Sequence, residues 1–143
     1  MLLPANYTIH ATRNSTWARC LDFEVDEGEV LDLIGWTGAL QVRNFPGEAG
    51  PALLTLSKTN VIMTEGIYFD HQTEPGQRQW VQIQINNPSI DALVGTHVPE
   101  INSPQRFFYD LILEDRDGEQ YRMMEGEFLV WPGVSRIASG APA

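Results

Sequence analysis

Apolar and polar residues alternate in short runs along most of this sequence, and glycine, proline, asparagine and aspartate separate one run from the next. A period of two residues sends successive side chains to opposite faces of an extended strand. Almost no part of the sequence shows the 3.6-residue period of an amphipathic helix. The pattern therefore predicts an all-β fold built from short strands.

Eight runs carry this strand pattern. They lie at Tyr7 to Thr12, Thr16 to Val25, Gly38 to Phe45, Leu53 to Lys58, Gly66 to Asp70, Trp80 to Ile85, Arg106 to Glu114 and Gln120 to Trp131. In the third run, Leu40 and Val42 alternate with polar residues, so one face of that strand should be buried and the other wet. The spacing of the runs predicts an antiparallel β-sandwich of about seven or eight strands.

The last two runs form the clearest predicted element, a hairpin whose turn ends at Asp117-Gly118. Glycine supplies the positive φ that such tight turns need. Tyr109 lies near the start of the penultimate strand, with an apolar residue two positions further on. This placement resembles the tyrosine corner of immunoglobulin-like domains, and it refines the prediction to an immunoglobulin-like sandwich. Gly126, in the returning strand, indicates either a bulge or a close backbone approach.

The stretch from Asn86 to Gln105 lacks the strand pattern and contains several prolines. Proline excludes a long helix there, but Ile90 to Val94 leaves room for one short helix with Ser89 as its cap. The expected domain organisation is a single sandwich with two extensions. Residues 1–6 form an N-terminal arm, residues 7–135 the β-sandwich domain and residues 136–143 a flexible C-terminal tail.

The charge and the cysteine content of the sequence limit the classes of partner and the compartment in which this domain is made. Nine basic residues against nineteen acidic ones give a net charge of −10, and so acidic a surface repels nucleic acid and anionic membranes. Cys20 is the single cysteine, which excludes an intrachain disulfide and suits synthesis in a reducing compartment. Its place in a strand pattern predicts a buried, inert thiol. We expect synthesis in a cytoplasm, because no signal peptide or membrane-spanning run is recognisable.

Residues that carry catalysis or bind metals do not converge in this sequence. Its three histidines are scattered without the spacing of metal ligands, and no nucleophile elbow, phosphate loop or dinucleotide fingerprint occurs. Asp115, Asp117 and Glu119 lack the full calcium-loop pattern and are better explained as a solvated hairpin tip. The sequence thus predicts a domain that is not an enzyme and needs no cofactor.

The tryptophan residues are the best candidates for interface positions, because aromatic side chains anchor interfaces as well as cores. Trp36, in a connection, and Trp131, beside the final proline, are the least core-like of the four tryptophans. Together with Ile137 in the tail, they are the candidate interface residues. An alternative function is a carbohydrate-binding sandwich in which Trp36, Trp80 or Trp131 stacks on a sugar.

Two parts of the sequence together resemble a known family. The first runs from Leu31 to Arg43 with Leu53 to Ser57, and the second from Tyr109 to Asp115 with Gly118, Arg122, Glu125 to Phe128 and Val134 to Arg136. This arrangement is similar to tailed-bacteriophage structural-module proteins that contain an immunoglobulin-like domain, including the N-terminal domain of the upper baseplate protein. The similarity covers about half of the chain.

The resemblance implies a virion structural protein, an adaptor of the tail, baseplate or fibre-attachment region that acts through protein–protein contacts. Its partners would be other virion structural proteins in multiple symmetric copies, with no nucleic acid and no membrane among them. The location it implies is the virion, after synthesis in the host cytoplasm. A capsid decoration or head-fibre protein has the same fold class and stays open as an alternative.

Overall fold

The structure, a computed structural model, describes residues 5–22, 32–70 and 80–134. Within these ranges the chain forms nine strands and one short helix, which confirms the predicted all-β fold. The strands are β1 (Ala5–Asn6), β2 (Ile9–Thr12), β3 (Trp17–Asp22), β4 (Thr37–Arg43), β5 (Leu54–Thr59), β6 (Gly66–Asp70), β7 (Trp80–Ile85), β8 (Gln105–Glu114) and β9 (Gln120–Trp131). The helix α1 (Asn87–Asp91) lies between β7 and β8.

The observed helix begins earlier than the sequence predicts. It starts at Asn87 instead of after Ser89, and Asn86 occupies the capping position in an extended conformation without a side-chain capping bond. Pro88 lies in the first turn of the helix. The first N–H groups of a helix have no partner within it, so proline costs no hydrogen bond there, and its fixed φ suits the helix. The predicted cap at Ser89 was therefore wrong, although the short helix itself is present.

The strands form one continuous sheet that folds over into two layers. The first layer contains β1, β2, β9, β8 and β4, and the second contains β6, β7 and β3. β5 belongs to both, because Leu54 to Ser57 pairs with β4 while Lys58 and Thr59 pair with β6. The order β9-β8-β4-β5 in one layer, opposite β6-β7-β3 in the other, is the two-layer arrangement of a β-sandwich.

Three of the observed pairings are parallel, where the sequence predicts antiparallel ones. β1 and β2 both pair with β9 in parallel, and β5 pairs with β6 in parallel. After β2 the chain crosses to β3 in the other layer, so β2 reaches the edge of the first layer without a hairpin. β6 pairs with β7 in antiparallel fashion, and so do β8 and β9, which form the hairpin that the sequence predicts.

The hydrophobic core lies between the two layers. Leu40 and Val42 of β4 are fully buried, as their alternation predicts. The largest fully buried side chains come from both layers and from the segments that join them: Phe107, Phe128, Ile9, Leu33, Ile67, Ile83, Ile85, Ile90, Leu111 and Leu113.

Cys20 is exposed, which corrects the prediction of a buried thiol. It is exposed because it lies on the outward face of β3, at the edge of the second layer.

Tyr109 and Gly126 hold the N-terminal segment against the edge of the sandwich. Tyr109 Oη donates a hydrogen bond of 2.6 Å to the carbonyl oxygen of Tyr7. In a tyrosine corner the hydroxyl bonds backbone a few residues upstream, whereas this partner is 102 residues away. At Gly126 an added Cβ would lie 2.7 Å from the same carbonyl oxygen, so this glycine marks the close approach that the sequence predicts. Arg19 stacks on the Tyr7 ring, 4.2 Å from its centroid, and donates to its hydroxyl.

A Tyr109→Phe variant should lose about 1 kcal/mol of unfolding free energy, because one buried hydrogen bond disappears. Burial raises the pKa of the Tyr109 hydroxyl above its ordinary value of 10.0. The native state therefore keeps this proton while the unfolded chain loses it, so wild-type stability should fall as the pH rises above about 10. Urea unfolding at pH 8 and pH 11 measures this fall, which should be smaller in the variant.

Tyr121 provides the control for this experiment. The hydrogen bond that its hydroxyl donates to Asp115 also raises its pKa, but Tyr121 is less buried than Tyr109. Tyr121→Phe should therefore leave the alkaline loss of stability mostly in place. Equal pH dependence in the wild type and the Tyr109→Phe variant would contradict the role given to Tyr109.

Candidate functional site

The predicted interface tryptophans lie far apart. Trp36 is half-buried and stacks on Tyr121 near the start of β9, with ring centroids 5.8 Å apart. Trp131 ends β9, stacks on His10 and donates from Nε1 to His10 Nδ1 at 3.0 Å. Trp131 lies ten positions after Tyr121 in the same strand, which corresponds to about 33 Å. The two tryptophans thus cannot form one patch, and Ile137 lies outside the described residues.

Arg13 follows β2 directly, and its side chain binds the end of α1 and the start of the loop after it. Its guanidinium donates to the carbonyl oxygens of Ile90, Asp91 and Leu93 at 2.6, 3.1 and 3.0 Å. It also donates to Gln105 Oε1 at 3.1 Å. The last carbonyls of a helix lack helical partners, and a cation there satisfies them and complements the helix dipole.

Further polar contacts fix residues 95–97 of the loop that follows the helix, residues 92–104. The Thr96 amide donates to Asn44 Oδ1 at 3.0 Å, and Gln105 Nε2 donates to the carbonyl oxygen of His97 at 3.1 Å. The Arg106 amide donates to His97 Nδ1 at 2.8 Å. These contacts come from Asn44, which follows β4, and from β8, so they hold the first part of the 92–104 loop to the domain.

The 92–104 loop turns polar groups toward the domain and apolar side chains toward solvent. Leu93 packs into the core, but Val94, Val98 and Ile101 are 76, 88 and 91% exposed. A folded chain normally buries such side chains, because each gains roughly 1.5–3 kcal/mol when it leaves water. An ordered loop that presents them therefore offers an apolar surface for a partner.

A second apolar turn, Val61 to Met63, lies on the outer face of the second layer. Met63 adopts a φ of 63°, a left-handed conformation that is uncommon for residues other than glycine. Its amide donates to Gln82 Oε1 at 2.9 Å, and Gln84 Nε2 donates to its carbonyl oxygen at 3.3 Å. Both glutamines are buried although they face outward from β7, so the turn covers them while its own side chains stay exposed.

The outer face of the first layer carries a trough along β4 and β8, which we call the sheet trough. Its larger cavity has a volume of about 490 Å³, and a smaller one of about 280 Å³ continues it. Both cavities are lined by Gln41, Asp110 and Ile112. The larger volume falls within the range of about 300–1,000 Å³ that is usual for ligand sites.

The charges of the sheet trough are paired within it. Arg122 Nε lies 3.4 Å from Asp110 Oδ2 and 4.0 Å from Glu125 Oε2. Arg43 donates to two carbonyl oxygens of the adjacent loop at 3.1 and 2.6 Å. The trough therefore combines polar side chains with little net charge.

Sequence reasoning missed Arg13 and Gln82 as functional features, whereas the length of the Asn86 to Gln105 connection already indicated an interaction loop. Nothing local marks Arg13, because its partners lie almost eighty residues further along the chain. Gln82 and its neighbour Gln84 do carry a signal, since two glutamines alternate with core residues in a strand of a sheet. The apolar side chains of the 92–104 loop gave a further signal, because they lie between prolines and outside any strand pattern.

The described part of the chain contains no group of three or more histidine, cysteine, aspartate or glutamate side chains that could hold a metal ion. Across residues 5–22, 32–70 and 80–134, no helix is long and apolar enough to cross a membrane. No family model matches the sequence, and a search of curated proteins found no match. Fold and surfaces together define an all-β sandwich with two apolar loops and a polar trough.

Proposed function

We propose that this protein is a virion structural protein of a tailed bacteriophage, an adaptor in the tail, baseplate or fibre-attachment region. It acts by binding other virion proteins and carries out no catalysis. The observation that supports this proposal most is the 92–104 loop, in which Val94, Val98 and Ile101 are exposed while polar contacts hold the backbone of its first part to the domain. The sequence resemblance to tailed-bacteriophage structural proteins supplies the kind of partner.

The charge of the chain suggests how the partner is built. A net charge of −10 makes copies of this chain repel one another at short range, so direct self-association through this loop is unfavourable. A partner with an apolar depression and a basic rim would complement both the loop and its surroundings. Symmetric copies would then be arranged by that partner.

The location of the protein in particles tests the proposal directly. Quantitative mass spectrometry of washed virions should find the protein in a fixed copy number relative to the major tail protein. Labelled antibody on intact particles should mark tails. Labelling of heads would favour a capsid decoration or head-fibre protein, and absence from washed virions would refute both functions.

A triple variant, Val94→Ser, Val98→Ser and Ile101→Ser, tests the 92–104 loop. Each replacement removes about 1 kcal/mol of apolar burial at an interface, and together they should weaken partner binding about a hundredfold. Incorporation into particles should fall accordingly, with unchanged thermal stability, because the three side chains are already exposed.

A matched control replaces Val61 and Ile62 of the other exposed turn by serine. This double variant should be incorporated as the wild type is. Equal loss of incorporation in both variants would contradict the assignment of the contact to the 92–104 loop.

A further inference from the structure

The sheet trough has the shape of a site for an elongated ligand. Its two cavities follow the outward face of β4, from Thr37 at one end to Arg43 and Phe45 at the other. The seven residues of β4 span about 20 Å. Because strands hold these side chains, the spacing of the polar groups is fixed before any ligand arrives.

The paired charges of the trough disfavour an ionic ligand. Arg122 already faces Asp110 and Glu125, and Arg43 is engaged by backbone carbonyls. A phosphate or carboxylate would meet these acidic groups, and a cation would compete with the arginines. The trough therefore favours a neutral ligand that hydrogen-bonds.

The polar side chains of the trough suit neighbouring hydroxyl groups. Asp110, Glu125 and Gln41 each present planar groups with several acceptor or donor positions. Their present contacts are long, 3.4 Å from Arg122 to Asp110 and 3.4 Å from Arg43 to the Gln41 Oε1. Such contacts leave capacity for additional hydrogen bonds from a ligand.

Aromatic rings at one end of the trough complete the site. Phe45 is 51% exposed, and Phe108 lines the same cavity in the neighbouring strand. A pyranose ring presents C–H groups on one face and hydroxyl groups at its edge. An aromatic face packs against the C–H groups, while carboxylate and amide groups form hydrogen bonds with the hydroxyl groups.

We propose that the sheet trough binds a neutral oligosaccharide, a site separate from the 92–104 loop and independent of the protein-binding function. The ligand lies along β4 and β8, with one ring against Phe45 and hydroxyl groups on Gln41, Asp110 and Glu125. An added peptide strand does not suit this surface, because strand addition needs an open sheet edge and β4 and β8 lie inside the layer.

A glycan microarray tests the proposal with the full chain, labelled at the exposed Cys20 on the opposite layer. The labelled protein should bind to spots of neutral oligosaccharides and should not bind to spots of single sugars or acidic glycans. Isothermal titration with the best retained glycan then compares variants. Asp110→Asn and Phe45→Ala should each weaken binding at least about tenfold.

Two controls keep the result specific to the trough. Asp117→Asn removes the same charge at the exposed hairpin tip, and Val98→Ser alters the 92–104 loop; both should bind the glycan as the wild type does. Three outcomes would each overturn the proposal: the protein binds no neutral glycan, it binds acidic glycans alone, or the Asp110→Asn and Phe45→Ala variants bind the glycan as tightly as the wild type. None of these outcomes changes whether the protein is found in virions.

Discussion

Replacing Arg13 by alanine is expected to lower the free energy of unfolding by about 3 kcal/mol, the largest effect of any polar substitution in the described chain. The guanidinium donates to four acceptors: three carbonyl oxygens of the short helix and the 92–104 loop, and the side chain of Gln105 in β8. Its loss removes the donor to the Asp91 and Leu93 carbonyl groups, and the Ile90 carbonyl keeps only the Leu93 amide. Urea unfolding followed by tryptophan fluorescence measures the change.

Arg13→Lys should recover only a small part of this loss, because an ammonium group cannot reach all four acceptors at once. Arg116→Ala is the matched control, since Arg116 forms an exposed ion pair with Asp32 at 3.0 Å. That control should change stability by at most about 0.5 kcal/mol. Hydrogen exchange in the 92–104 loop should accelerate in the Arg13 variants alone. Stability of Arg13→Ala equal to that of the control would remove Arg13 from its assigned role.

Gly126→Ala is expected to destabilise the domain by about 3 kcal/mol, because two penalties combine. The residue has a φ of 149°, which side chains rarely tolerate, and its new Cβ would lie 2.7 Å from the Tyr7 carbonyl oxygen. The segment that carries Tyr7 must then move away from β9. The hydrogen bond from Tyr109 to the same oxygen would be lost with it.

Gly47→Ala separates the two penalties. Gly47 also has a positive φ, 78°, but no atom lies within 4 Å of an added Cβ. Backbone strain alone should cost about 1 kcal/mol. Thermal unfolding of both variants gives the difference, which is the cost of the clash. Equal midpoints for the two variants would show that the close approach at Gly126 is unimportant for stability.

Alternation in the sequence was enough to predict most strands, because burial of one face imposes a two-residue period. It was enough for β6, β7 and β9, whose predicted bounds match the observed ones. The prediction for Cys20 failed although the alternation contained the answer. Cys20 has the opposite phase to the inward-facing Trp17 and Leu21 of β3, and so it faces outward.

The proposed binding surfaces were less predictable because they depend on contacts between distant parts of the chain. The tryptophan content of the sequence pointed to Trp36 and Trp131, yet each of them stacks against a neighbouring ring. The surfaces proposed for binding are instead the 92–104 loop and the sheet trough. The loop is ordered by Arg13 and Asn44, and the trough exists only once β4, β8 and β9 lie side by side. No local pattern encodes either arrangement.

The parallel pairing of β2 with β9 has a consequence for how the molecule is made. Ile9 lies beside Phe128, so β2 has no strand partner until β9, about 120 residues further along the chain, has been synthesised. Contacts this distant in sequence slow folding, which for such topologies takes milliseconds to seconds. During synthesis β2 therefore stays without its partner, and the sandwich can close only after β9 has emerged.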